Sequence, residues 1–163
     1  MKVYGVTGWK DSGKTTLTER LLAEMVRRGL AVSSVKHAHH DTEIDHPGRD
    51  SFRHRAAGAG QVIVASPVRW ALMTELRGAP EPPLEALLGR LDPVDLVLVE
   101  GFKRAPHPKI EAHRTETGRS LLAPENPTVR AVASNGSPAV AVPLFHLDDI
   151  SGIADFILRE VGL

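Results

Sequence analysis

Residues 8–15, Gly8-Trp9-Lys10-Asp11-Ser12-Gly13-Lys14-Thr15, follow the pattern G-x-x-x-x-G-K-[ST] and constrain this chain more than any other segment. They stand between a short β-type run at 3–7 and a stretch of helical period that begins at Lys14. Glycines let the backbone fold around an anion and aim successive N–H groups at it, and a helix that starts there adds unpaired N–H groups and the positive end of its dipole. The motif therefore predicts a triphosphate site in which Gly8, Asp11, Ser12 and Gly13 form the cradle. Lys14 would lie between the β- and γ-phosphates, Thr15 would be a magnesium ligand and Thr16 would meet the α-phosphate. Phosphate contacts carry no information about the base, so ATP and GTP both remain open on these residues.

The rest of the chain follows the loop's lead. Leu17, Leu21, Leu22, Met25 and Val26 recur at helical spacing until Gly29, and residues 30–35 predict a second strand, giving a βαβ unit. A long polar loop at 36–49 precedes a short helix at 50–57, capped by Asp50 or Ser51. Residues 61–65 and 69–75, joined by Ser66-Pro67-Val68, predict a β-hairpin. Leu84, Leu87, Leu88 and Leu91 mark a short amphipathic helix, and the nearly continuous aliphatic run at 94–99 suits a strand buried on both faces. Further strands are expected at 109–113 and 129–134, with a terminal helix at 150–161 that turns Ile153, Phe156, Ile157 and Val161 inward. Alternating strands and helices predict an α/β fold: a mostly parallel, doubly wound sheet of the P-loop NTPase type flanked by helices, with an added antiparallel β-hairpin. A length of 163 residues with 42% apolar residues predicts one domain spanning 1–163.

Composition narrows the classes of partner. Twenty basic and twenty acidic side chains cancel, so no overall field draws the chain to nucleic acid or to an anionic membrane. The absence of cysteine excludes a thiol nucleophile and a disulfide framework. No apolar run nears the roughly 20 residues that span a bilayer, and the start of the chain enters a strand without a signal-peptide pattern, so the cytoplasm is the expected location.

In a doubly wound sheet, ligands lie beyond the carboxyl ends of the strands, which singles out two further places. The aliphatic strand at 94–99 delivers Glu100 where a magnesium-bound or attacking water could be held. The loop after the second strand, Lys36-His37-Ala38-His39-His40-Asp41, opens a region holding five of the chain's eight histidines between positions 37 and 54. Without regular ligand spacing this loop does not predict zinc. The expectation is that Asp41 stands near magnesium through water while His37, His39 and His40 touch phosphate.

These motifs taken together resemble the molybdopterin-guanine dinucleotide biosynthesis protein B (MobB) family, small P-loop proteins of the molybdenum cofactor pathway. The resemblance extends over nearly the whole chain. It is most specific at residues 8–16, at Lys36 to Asp41 and on through Asp45, Pro47-Gly48 and Asp50-Ser51, at Arg69-Trp70-Ala71-Leu72-Met73-Thr74-Glu75, and at Leu98-Val99-Glu100-Gly101-Phe102-Lys103. It implies a homodimeric GTP-binding protein with weak, magnesium-dependent GTPase activity. Such a protein would contact the molybdenum cofactor guanylyltransferase and assist attachment of GMP to molybdopterin, with molybdopterin itself a second candidate ligand. Lys14, Glu100 and Asp41 would serve catalysis, and Thr15, Glu100 and Asp41 the metal. The hairpin would contribute to dimerisation, with Trp70, Leu72 and Met73 suited to a buried interface.

The N-K-x-D guanine motif is absent, and Asn135 in Ala133-Ser134-Asn135 is the residue expected to meet the base. Its amide offers one acceptor oxygen where a carboxylate accepts from both guanine N–H donors, which predicts weaker guanine selectivity. Two other readings stay open on the residues alone: a P-loop kinase acting on a small molecule held by the histidine loop, and a nucleotide-stabilised binding module that needs no hydrolysis.

Overall fold

The first strand, β1 (Lys2–Thr7), runs directly into the glycine turn, and helix α1 (Lys14–Arg27) leaves it. This computed structural model describes residues 1–38 and 44–163. Gly29 takes φ 86° just past α1, and Leu30 N–H reaches back to the Met25 carbonyl, so the helix ends in the left-handed turn that its glycine permits. Leu17, Leu21 and Met25 are buried as their spacing predicts, but Val26 is 62% exposed: the apolar stripe is narrower than the sequence pattern suggests.

By contact, the chain divides into two compact units, residues 1–37 with 84–163, and residues 38–83. The first holds β2 (Val32–Lys36), α3 (Leu84–Leu88), β5 (Leu96–Glu100), β6 (Lys109–His113), β7 (Val129–Ser134), β8 (Leu144–His146) and α4 (Ile150–Val161), besides β1 and α1. Its strands form a six-stranded sheet in the order β2-β5-β1-β6-β7-β8, with every neighbouring pair parallel. Parallel neighbours need crossovers, and burial of both faces explains why β5 is aliphatic almost throughout. Alternate side chains go to opposite sides. Leu96 and Leu98 join Tyr4, Leu17, Leu21, Ile153 and Ile157 in the larger core under α1 and α4, while Val97 and Val99 pack with Leu84 and its neighbours. The terminal helix begins at its expected residue, where Asp149 Oδ1 accepts from Gly152 N–H at 3.0 Å.

The second unit contains α2 (Asp50–Ala56), β3 (Gln61–Ala65) and β4 (Trp70–Thr74). The two strands form the expected antiparallel hairpin, as a sheet of its own and with Ala65 opposite Trp70. Ser66 Oγ closes the turn by accepting from Val68 N–H and Arg69 N–H. Arg49, not Asp50 or Ser51, occupies the N-cap of α2 and makes no side-chain capping bond, while Asp50 lies in the first turn, where its charge suits the helix dipole. No described helix is long and apolar enough to cross a membrane.

Candidate functional site

The glycine loop is tight in the way an anion cradle requires. Gly8 has φ 143°, and a Cβ there would lie 2.4 Å from the Ala112 carbonyl oxygen and 2.5 Å from Ser12 Oγ. Gly13, at φ 91°, forms the N-cap of α1, and Arg114 Nε would stand 3.0 Å from a Cβ at that position. Neither place tolerates a side chain without displacement or strain. Buried Ser12 Oγ has no hydrogen-bond partner among the described residues, a donor and acceptor set into the loop and fitted to a polar ligand.

Lys14 lies across this loop, its Nζ donating to the Trp9 carbonyl at 2.5 Å. Burial, together with the charges of Lys103 and Lys36, holds its ammonium below the usual lysine range, against the opposing pull of Glu100 and Asp11. A bound polyphosphate would relieve that positive crowding. At the adjacent strand end, Thr15 Oγ1 donates to Glu100 Oε1 at 2.9 Å, which joins the first turn of α1 to the last residue of β5. The Glu100 carboxylate is nearly buried, and Lys36 Nζ lies 3.5 Å from it and 3.4 Å from Thr15 Oγ1. A hydroxyl and a carboxylate in contact form an oxygen donor set of the kind a small hard cation takes, so these residues fit magnesium.

His37 also arrives at this edge. Its N–H donates to the Glu100 carbonyl at 2.9 Å, and its ring stacks on Phe102 with centroids 4.5 Å apart. Those contacts fix the backbone that carries the carboxylate. Thr16 lies exposed in the first turn of α1. His39, His40 and Asp41 lie outside the described residues. Among the described residues no group of three or more histidine, cysteine or carboxylate side chains forms a metal cluster.

On the other side of β1 a separate cleft opens beside Trp9. The Lys103 ammonium lies over the Trp9 ring at 4.2 Å from its centroid, and the indole N–H donates to the Ser120 carbonyl at 2.7 Å. The segment that supplies Ser120 is itself anchored: the fully buried Glu111 carboxylate accepts from Leu122 N–H and Ala123 N–H. Burial raises the Glu111 pKa, and those two backbone donors oppose the rise. Asn135 follows β7, as expected, but its amide is already partnered. Its Oδ1 accepts from Thr115 N–H at 3.0 Å, and its Nδ2 lies 2.8 Å from each oxygen of Glu116.

Three residues at this site carry no role in the sequence reading. Lys36, which opens the histidine loop, closes β2 and Arg114 follows β6, so both stand at strand ends, where ligands gather. Glu116 carries no such signal, because only folding brings it to Asn135.

Comparison with known proteins agrees with the pairing of this fold and loop. The family model described as molybdopterin guanine dinucleotide synthesis protein B matches residues 3–135. A molybdopterin-guanine dinucleotide biosynthesis adapter protein of Haemophilus influenzae is 46% identical over 159 residues, covering 95% of this chain and 86% of that protein. Its Escherichia coli namesake is 42% identical over 157 residues, covering 93% and 88%. Among solved structures, Bacillus subtilis MobB superposes with a TM-score of 0.76 at 28% identity, covering 99% of this chain and 98% of that one. With a family model spanning most of its length and relatives of this identity, the chain belongs to the MobB family of molybdopterin-guanine dinucleotide synthesis proteins.

Proposed function

We propose that this chain serves molybdopterin-guanine dinucleotide biosynthesis as an adapter that works through bound magnesium and GTP. The observation that carries the reading is the contact of Thr15 Oγ1 with Glu100 Oε1 at 2.9 Å beside the Lys14 loop, since it joins a cation-seeking oxygen pair to an anion-seeking turn. Lys14 would exchange its Trp9 carbonyl for the β- and γ-phosphates, and the loop N–H groups would hold the remaining charge. Magnesium held by Thr15, with Glu100 beside it, would supply positive charge to the phosphate oxygens as they separate. Glu100 would orient the attacking water, and Lys36, beside the same carboxylate, would add a second positive charge at the metal edge.

Slow hydrolysis suits an adapter, because the nucleotide state then persists long enough for a partner to sense it. The hairpin supplies a surface for assembly. Ile63, Trp70 and Leu72 share one face of β3 and β4 by strand alternation, and Trp70 is 67% exposed. That face would be covered by a second copy of the chain, while the guanylyltransferase is the partner that receives the nucleotide-dependent signal.

A reconstituted reaction tests this. Purified guanylyltransferase, molybdopterin, magnesium and GTP should yield more guanine dinucleotide cofactor when this protein is added, and Lys14→Ala should remove the gain. An equal gain from Lys14→Ala would leave an adapter that does not use its nucleotide and would refute the proposal.

A further inference from the structure

Guanine and adenine differ on the edge that a carboxylate can read. Guanine presents N1–H and N2–H donors there, whereas adenine presents the N1 acceptor beside a bare C2–H. A carboxylate at the nucleoside end of the cleft would therefore select guanine and repel adenine. The residue after β7, which the sequence singles out to meet the base, is an asparagine.

The orientation of Asn135 is settled by its neighbours. Its Oδ1 faces a backbone donor, Thr115 N–H, and its Nδ2 faces the two acceptor oxygens of Glu116. Reversing the amide would set NH2 against N–H and oxygen against carboxylate. The acceptor of Asn135 is thus committed, and the acceptors it brings into position belong to Glu116. Each Glu116 oxygen shares one amide donor and keeps lone pairs for another. Glu116's own backbone N–H, and next the Asn135 amide, hold this carboxyl below the usual carboxylate range, so it is ionised at neutral pH.

The carboxylate is also well placed along the cleft. A cavity of about 630 Å3 runs from Trp9, Lys10 and Asp11 of the phosphate loop to Arg114, Glu116 and Arg119, a volume within the range of small-molecule sites. It lies on the β6 side of β1, opposite the β5 end where Thr15 meets Glu100, so metal and nucleoside would occupy different strand ends. The segment bearing Glu116 is braced at three points: Thr115 N–H on Asn135, the Ser120 carbonyl on Trp9, and Leu122 and Ala123 N–H on Glu111. Beneath it, His113 Nδ1 meets Ser134 Oγ at 2.9 Å and ties the ends of β6 and β7 together.

We infer that Glu116, held in place by Asn135, is the guanine-reading carboxylate of this chain, accepting from N1–H and N2–H of a guanine nucleotide whose phosphates lie in the Gly8 to Thr15 loop. This rests on the nucleotide reading proposed above. Glu116 is the specificity residue and Asn135 its positioning residue.

Calorimetric titration of GTP, XTP and ATP with magnesium, into wild type, Glu116→Gln, Asn135→Ala and Lys14→Ala, tests it. In Glu116→Gln the GTP affinity should fall by about 10- to 100-fold, the range for charge-assisted hydrogen bonds. The XTP affinity should rise, because the glutamine amide can donate to the xanthine C2 carbonyl. Asn135→Ala should shift the GTP-to-ATP ratio the same way by a smaller factor. An unaltered GTP-to-XTP ratio in Glu116→Gln, with Lys14→Ala abolishing all binding, would overturn the inference and leave the nucleotide reading standing. Wild-type GTP affinity in Lys14→Ala would overturn both.

Discussion

In the α/β unit the apolar strand residues go inside, whereas in the hairpin unit they largely stay outside. Leu96, Val97, Leu98 and Val99 of β5 have no exposed surface, but Ile63 and Trp70 on the hairpin are 65% and 67% exposed. Among the described residues of the hairpin unit, Val62 is the sole buried apolar side chain. One unit is stabilised by its own core, with polar side chains such as Lys36 and Glu100 at its strand ends. The other has little core of its own beneath an exposed apolar face, which suits the assembly role proposed for it. The difference separates the two tasks proposed for the chain. Changes in the first unit should alter nucleotide binding without altering assembly, and changes on the hairpin face should do the reverse.

The largest effect should come from Gly8→Ala. Its new Cβ meets backbone and Ser12 Oγ at a left-handed position, and a loss of about 3 kcal/mol or more is expected from strain and overpacking. Urea unfolding with and without GTP would check both the stability loss and the loss of binding. Wild-type behaviour would mean that the cradle is looser than the geometry indicates. Next is Trp70→Glu, which should weaken self-association by about 2 kcal/mol, as for an interface anchor, and leave GTP affinity intact. Sedimentation equilibrium measures the first and calorimetry the second, and a parallel fall in both would break the separation of tasks.

A smaller effect belongs to Glu111→Gln. One of the acceptors under Leu122 and Ala123 becomes a donor, at a cost of about 1 to 3 kcal/mol in unfolding free energy. The loop that carries Glu116 should loosen with it, so selectivity for GTP over ATP should drop while magnesium dependence persists. A graded pH effect within the α/β unit completes the series. Burial, and to a lesser degree Lys109, lowers the His107 pKa to about 4, and neither ring nitrogen has a hydrogen-bond partner among the described residues. The unfolded chain binds this proton at about 6.5, so the stabilisation is complete above that pH and declines as pH falls toward 4. The slope should not exceed about 1.4 kcal/mol per pH unit, and His107→Phe should flatten it in denaturation curves recorded across that window. An unchanged slope would assign the acid sensitivity elsewhere.

What could be read in advance follows the range of the forces involved. The glycine loop is a local device, eight consecutive residues between a strand and a helix, so its glycines and Lys14 are recognisable as a string. The place of Glu100 is legible for a related reason: an aliphatic run ending in a carboxylate marks the end of a buried strand. Strand β8 does not stand out in the sequence because an edge strand of three residues carries too short a pattern. Val26 stays outside despite its helical spacing, because spacing alone does not say how wide the buried stripe is. The pairing of Asn135 with Glu116 was illegible in principle. It joins residues 19 apart across two strand ends, and an isolated glutamate in a polar turn has the same appearance as any solvated one.

The central claim is that the turn, Lys14, Thr15 and Glu100 form one magnesium-dependent triphosphate site. Titration of GTP into wild type and Thr15→Ala, each with magnesium and with chelator, tests it most directly. Wild type should bind at least about tenfold tighter with magnesium, and Thr15→Ala should lose that increment while keeping the metal-independent remainder. Equal affinities in all four titrations would contradict the account.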